Sequence, residues 1–497
     1  MSRSTFRFWF SIIVIPTFLV IAVLAYFAWR QSVPGVRAII DPAPRWIAVK
    51  TPLTVDLIAV RGGLRSVEIR LKQGSARVVL AQQVFTGPPS NTQRVGIQVA
   101  GGTLGLREGS ATLDVLARDG FWRPIRVDDR PVLTLPITLD FSPPSLEVVA
   151  ATRYWAQGGG GLVVMRSKGA SRVAVGVGRL AFPAYAAGPP DGNLYVALVA
   201  LPWDNTSGTP ITGMAQDEAG NTTTRNVAVE IKPRRFKTDV IDIKEDFLER
   251  KLPELLPERG GAIPRTELLG AFLTVNRDRR KQAEEMKRAL ASKTQPRPLW
   301  DGAFMQPRNT KVFSNFAETR TYRYQGRDVD TQIHFGYDLA AVRHAPVPAA
   351  NSGTVVFAGP LLIYGNAVVL DHGLGLQTLY GHLSTIGVKE GEQIEKGQEL
   401  GRTGDTGLAL GDHLHYEVLI QGVSVTPLEW WDARWIRDHI GRPLREASLP
   451  LVQSIMPESA HDQAPPSRRR RAVPPRSQSS PSSQSPSRST APRVESP

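Results

Sequence analysis

Residues 8 to 29, FWFSIIVIPTFLVIAVLAYFAW, form an uncharged apolar run with no polar face. It is long enough for one helix to cross a bilayer, for which about 20 residues suffice. From about residue 38 to 235 the pattern changes to alternating apolar and polar positions in Val- and Thr-rich stretches, broken by the turn signals RGG, GPPSN, GGGG and EAGN. A period of two with such turns predicts β-sandwiches. Residues 240 to 295 switch again, to helix formers with Pro264 suited to a first turn and Glu284 four residues before Arg288, so helices are expected there. Short strands with many glycines return over 296 to 442. Beyond about 455 the Pro/Ser/Arg-rich chain cannot bury enough apolar surface to fold.

A faint repeat divides the sandwich region. ATLDVLARDG followed by VLTLPITLDF resembles ITGMAQDEAGN followed by NVAVEI, which makes Asp119 and Asp217 equivalent. The offset is about one immunoglobulin-like domain, and two are expected in tandem, over 38–141 and 142–235, acting as scaffold because no site-like cluster falls within them. The expected order is therefore a transmembrane anchor at 8–29, two Ig-like sandwiches, a helical linker or regulatory segment at 240–295, a mainly β domain at 296–442 and a disordered tail at 455–497. Arg3 and Arg7 before the apolar run favour a cytoplasmic N-terminus, with Trp9, Tyr26 and Trp29 near the two interfaces. No small-x-small cleavage site follows the run, which predicts an uncleaved signal anchor.

Composition adds little to this picture. The formal charge is +14, from 60 Lys and Arg against 46 Asp and Glu, and part of the excess lies in the tail segment SRRRRAVPPR. That tail lacks interleaved aromatics, so nucleic-acid binding is not expected. There is no cysteine, which excludes disulfides, thiol catalysis and Cys-based metal sites.

The histidines are more informative. All eight lie at or after residue 334, and six of them, His334, His344, His372, His382, His413 and His415, fall in one stretch of about eighty residues. In GDHLHYEVLI, His413 and His415 sit two apart in a strand-like segment and share a face, while Leu414, Tyr416 and Val418 share the other. In IHFGYDLA, His334 and Asp338 flank Gly336, whose conformational freedom is expected to let the chain bend both side chains toward one ion. Metal-assisted hydrolysis needs three such ligands, an open position and groups to handle a proton and an oxyanion. HLH supplies a third ligand with one histidine to spare, and LYGHLSTI supplies His382.

The run from SNFAETR through HFGYDLAA, YGNAVVLDHGLGLQTLYGHLS and DHLHYEV resembles the catalytic domain of LytM/lysostaphin-type zinc endopeptidases, peptidase family M twenty-three, over about 310 to 430. The resemblance implies a small antiparallel β-barrel-like fold and one Zn²⁺ held by His334, Asp338 and His415. It also implies that His382 and His413 line the attacking water and the scissile carbonyl, one accepting a proton and the other stabilising the oxyanion. The family's usual proline before the last H-x-H is Asp412 here, and the usual Phe after it is Tyr416. His344 and His372 are expected to be structural. The glycines of VKEGEQIEKGQELGRTGDTG also resemble biotinyl and lipoyl carrier hairpins, but Lys396 is not at a modifiable tip.

These features predict a murein endopeptidase anchored by one span in the cell inner membrane, its catalytic domain in the periplasm, cutting peptidoglycan cross-links or stem peptides. The rival is a non-enzymatic LytM-like regulator that activates another wall hydrolase, but such regulators resemble the family with metal ligands lost. A regulatory protein partner that moves the 240–295 segment off the groove is a further expectation.

Overall fold

A computed structural model describes residues 13–127, 129–189 and 193–456. Residues 8–12 of the apolar run and the tail from residue 457 onward lie outside the described residues. The first element, α1 (Ile15–Ser32), is an 18-residue helix without a single buried side chain. At 1.5 Å per residue it is about 27 Å long, close to the thickness of a bilayer's hydrocarbon core. Its large apolar side chains are exposed along its length.

The chain is mainly β. Over residues 37 to 139 a three-stranded sheet (Arg37–Ile39, Thr51–Ile58, Thr92–Val99) faces a five-stranded one built on Leu64–Gln73 and Gly109–Asp119. The alternation is obeyed: Leu53, Val55 and Leu57 point into the shared core with Ile69, Leu71, Leu113 and Val115, while their neighbours face outward. Two four-stranded sheets follow between residues 147 and 226. Here the pattern departs from alternation, because every residue of Gly160–Met165 is buried. One face of that strand packs into its own sandwich, and the other meets the C-terminal domain, where the Gly160 amide donates to Glu429 at 2.8 Å. A strand covered on both sides reads as a continuous apolar run, GGLVVM. The two repeat-related aspartates both lie just past or at strand ends, but with different partners: Asp119 holds Arg123 and Arg126, and Asp217 holds Asn221.

Glu429 is buried at this junction, and burial pushes its carboxyl up to about 7 despite the Gly160 hydrogen bond and the nearby Arg234. A carboxyl raised in the folded state stabilises the fold fully below its unfolded value of 4.5 and loses that contribution as pH rises to 7. Glu429→Gln should abolish this dependence, leaving the variant more stable than the parent at pH 8 by roughly 3 kcal/mol, at 1.36 kcal/mol per unit. Thermal unfolding of both chains at pH 5 and pH 8 tests this; an unchanged difference between the two pH values would refute it.

The C-terminal domain is built on an antiparallel sheet whose hydrogen-bonded order runs Lys311–Ser314, Tyr337–Ala340, Leu414–Ile420, Leu376–Leu383, Asn366–Asp371, Gly353–Pro360 and Gln393–Ile394, with Val423–Val425 paired to the third of these. The chain crosses the expected boundaries at 240 and 296. Strand β1 (Thr238–Ile243) pairs in parallel with β2 (Glu318–Tyr324), which pairs antiparallel with β3 (Arg327–His334). Helices α2 (Glu245–Leu255) and α3 (Arg280–Leu290) bury Phe247, Leu248, Leu252, Ala283 and Leu290 in a core shared with Leu361, Ile363 and Leu379 of the sheet domain. The helical segment is thus packed into the domain that carries the histidines.

Candidate active site

Three strands converge on the site: β4 (Tyr337–Ala340), β5 (Leu376–Leu383) and β6 (Leu414–Ile420). Both β5 and β6 are buried along their whole length, so any polar side chain on them must find a partner inside the protein. The ladder sets Asp338 of β4 directly opposite His415 of β6, and His415 opposite Gly381 of β5. His334 ends β3, two residues before Gly336, and the turn brings it back to Asp338. Gly336 is required for space rather than for freedom: a Cβ there would lie 2.6 Å from the His415 ring and 2.7 Å from the Tyr416 carbonyl. His382 owes its position to the backbone, with φ of +61° at a register shift between β5 and Asn366–Asp371. A bulge with a left-handed residue turns that side chain out of the strand's alternation and into the site.

His334 Nε2 lies 3.0 Å from Asp338 Oδ1 and 3.0 Å from His415 Nδ1, and His415 Nδ1 lies 2.9 Å from the same carboxylate oxygen. The outer ring nitrogens are committed elsewhere. His334 Nδ1–H donates to the Asn315 carbonyl at 3.0 Å, and His415 Nε2–H donates to Glu417 Oε1 at 2.9 Å. With both outer protons placed, the inner nitrogens turn lone pairs toward each other and toward a carboxylate oxygen. Three acceptors converging within about 3 Å repel one another unless a proton or a cation sits among them, and two imidazoles with one carboxylate are the donor set of a Zn²⁺ site with an open position. The second Asp338 oxygen accepts from Arg320 Nη2 at 2.7 Å, which leaves Oδ1 alone to face the two inner nitrogens. Burial by itself would push Asp338 up, but its polar contacts hold the carboxyl well below the usual range.

The other two predicted histidines flank this cluster. His382 Nδ1–H donates to the Thr406 carbonyl at 2.8 Å and His413 Nδ1–H to the Gly411 carbonyl at 2.7 Å, so both rings present Nε2 inward. Their ring centroids are 4.8 Å apart, and His413 Nε2 is 3.5 Å from Asp338 Oδ1. Burial, followed by the neighbouring His413 and His415 rings, lowers His382 well below the ordinary histidine value, so it is neutral at pH 7. All five residues border one cavity of about 480 Å³. The segment preceding the sheet domain also lines it, with Ile241 and Ile243 of β1, Phe247 of α2 and Phe272 as apolar side chains and Asp239 and Arg280 as charged ones.

The remaining histidines of the cluster are kept out. His372 is fully buried between the Ser352 carbonyl and the Thr378 hydroxyl, and burial lowers it to about 4. His344 is half-exposed beside Ser384. Asp412 caps that same loop by accepting from the Thr403 hydroxyl at 2.6 Å and the His344 amide at 3.1 Å.

Besides Arg320, two residues that sequence reasoning missed complete the site. Glu417 stands behind His415, and Lys287 of α3 stands behind Glu417: its Nζ donates to Glu417 Oε2 at 2.8 Å, to the Tyr364 hydroxyl at 2.9 Å and to Ser424 Oγ at 3.3 Å, and it pairs with Glu284 at 2.8 Å. Burial alone would lower Lys287 and raise Glu417; the pairing outweighs it, raising the lysine and holding the glutamate well below its ordinary range. Glu417 follows the same two-residue spacing that linked His413 to His415, so its place on that strand face was available to inspection. Nothing in the sequence marks Lys287.

Residues 332–427 match the model for Peptidase family M23. Over 97 residues the chain is 42% identical to a DD-carboxypeptidase/endopeptidase Mpg of Neisseria meningitidis serogroup B, covering 20% of this chain and 22% of that protein. Over 119 residues it is 36% identical to the peptidoglycan DD-endopeptidase ShyA of Vibrio cholerae, covering 24% and 27% respectively. The match therefore spans about a fifth to a quarter of these relatives' own length. The catalytic domain of the antimicrobial peptidase lysostaphin from Staphylococcus simulans aligns at 27% identity over 25% of this chain and 92% of that one, with a TM-score of 0.22. Residues 332–427, which carry all five of these side chains, are a peptidase domain of family M23.

Proposed function

We propose that the protein is a zinc metalloendopeptidase, held in the cell inner membrane by α1, that hydrolyses peptide bonds in peptidoglycan cross-links or stem peptides from the periplasmic side. The carrying observation is the convergence of three lone-pair donors, His334, Asp338 and His415, beneath two inward-facing histidines on a cavity wall. A zinc ion held by those three residues would supply Lewis acidity toward a carbonyl and draw the pKa of a water toward neutrality.

The protein's own groups divide the remaining work. Glu417 and the Asn315 carbonyl fix the tautomers of His415 and His334, and Arg320 fixes the orientation of Asp338. Since the Nδ1 protons of His382 and His413 are committed to carbonyls, each Nε2 accepts when the ring is neutral and donates when it is protonated. One of the pair takes the proton of the attacking water, and the other donates a hydrogen bond to the oxyanion. Ile241, Ile243, Phe247 and Phe272 give a bound peptide apolar contacts within the cavity.

The substrate class rests on the peptidoglycan enzymes named among the relatives. The test is to incubate the purified full-length chain in detergent with isolated peptidoglycan, measuring bound zinc and new amino termini together. Stoichiometric zinc with released muropeptides is expected. Protein that binds no zinc and releases nothing would return the reading to a non-enzymatic regulator.

A further inference from the structure

The loop of residues 121–127, FWRPIRV, faces the wrong way for a loop in water. Both of its cations are tied to one buried carboxylate, Arg123 from an inward position and Arg126 from the surface. Arg123 makes a two-pronged pair with buried Asp119, at 2.8 and 3.0 Å, and Arg126 donates to the same carboxylate at 2.8 Å. Its apolar side chains are turned out: Trp122, Ile125 and Val127 are 53%, 69% and 66% exposed. A solvated loop would do the reverse, since an arginine loses hydration on burial and an apolar side chain gains by it.

The loop also sits where α1 ends. Arg30 donates twice to the Trp122 carbonyl, at 3.0 and 2.8 Å, and its guanidinium lies 4.2 Å from the Phe121 ring centroid. The Gln31 side chain and the Ile125 backbone exchange two hydrogen bonds of 3.1 Å. The Phe27 and Trp122 rings are 5.9 Å apart, and Arg123 also donates to the carbonyls of Val33 and Pro34, the first residues after the helix. Helix end and loop are thereby one tied unit, and the exposed Tyr26, Phe27 and Trp29 of the helix continue the apolar surface of the loop. Aromatic and apolar residues beside the end of a spanning helix occupy the headgroup boundary.

We propose that residues 121–127 form a second membrane contact, in which Trp122, Ile125 and Val127 enter the interfacial layer of the bilayer and fix the first sandwich against it. The partner is a lipid surface, engaged through apolar insertion, since both loop arginines are already paired within the protein. The proposal rests on the reading of α1 as a membrane anchor. It gives the anchor a rigid base, so that the domains beyond project from the membrane in a set direction.

Because the chain has no cysteine, a single one can be labelled. Ile125→Cys and Ser75→Cys, each carrying an environment-sensitive fluorophore, are compared in the full chain reconstituted into phosphatidylcholine vesicles. Ser75 lies in the turn at the opposite end of Leu64–Gln73, whose first residue pairs with Asp119; the ten residues between span roughly 33 Å at 3.3 Å each. The label at 125 should shift to the blue and be several-fold less quenched by aqueous iodide than the label at 75. A chain that floats with vesicles but carries a fully quenchable label at 125 would overturn the loop contact and leave the anchor standing. Equal shielding at both positions would overturn it too, by removing its location. A chain that does not float at all would overturn the anchor and the loop contact together.

Discussion

His334→Ala and His415→Ala are expected to bind no zinc and to release no muropeptides, whereas His382→Ala and His413→Ala should keep stoichiometric zinc and lose roughly 10²- to 10⁴-fold in hydrolysis, the range for removing a positioned acid or base. The reason for the split is geometric. The inner nitrogens of His334 and His415 are 3.0 Å apart and share a carboxylate oxygen with no proton assigned between them, so deleting either opens the cluster. His382 reaches the site from a separate strand bulge, and its outer nitrogen is tied to Thr406 rather than to any member of the triad. Metal analysis and product release on the same four preparations decide the matter. Zinc lost from both the His382 and His413 variants would defeat the division of roles.

The second large effect concerns Glu417 and Lys287. Glu417→Gln should weaken zinc binding about 10- to 100-fold, the usual consequence of losing the carboxylate behind a ligating histidine. Lys287→Met should do the same and in addition destabilise the fold by about 3–5 kcal/mol, because it strands a buried carboxylate. The double variant Lys287→Met/Glu417→Gln removes both charges, so it should regain most of that stability without regaining affinity. Chelator competition measures the affinity and thermal unfolding the stability. If Lys287→Met bound zinc as tightly as the parent while still folded, the lysine would be a packing residue only.

This pair also bears on the segment 240–295. A cover that a partner lifts away should leave a complete domain behind, yet Lys287 is buried in that domain and β1 is a strand of its small sheet. We propose that the segment is a fixed wall of the cleft, its Ile241, Ile243 and Phe247 shaping the apolar side on which a peptide lies. Removing it should cost the fold before it tests latency.

How far the site could be read beforehand depended on sequence distance. His413 and His415 were related by strand alternation, His334 and Asp338 by a short turn, and local geometry carried both inferences. The reason offered for Gly336 was the wrong one, because a one-dimensional reading sees what a glycine permits its own backbone, not that the His415 ring needs the space of its missing Cβ. His382 stood at the end of an apolar strand, where alternation alone could not say which way it pointed; a left-handed backbone decided it.

The sequence by itself determined the candidate chemistry: the residue types of the proposed ligands, the paired histidines, the apolar helix and the alternating strands are all set by residue identity and local period. Tertiary structure alone decided what holds that chemistry in place. Arg320 on Asp338, Lys287 behind Glu417 and the loop at 121–127 against the helix end all join residues far apart in the chain. Such contacts form only when strands and helices pack, and packing is set by the shape of whole faces, which no local pattern encodes.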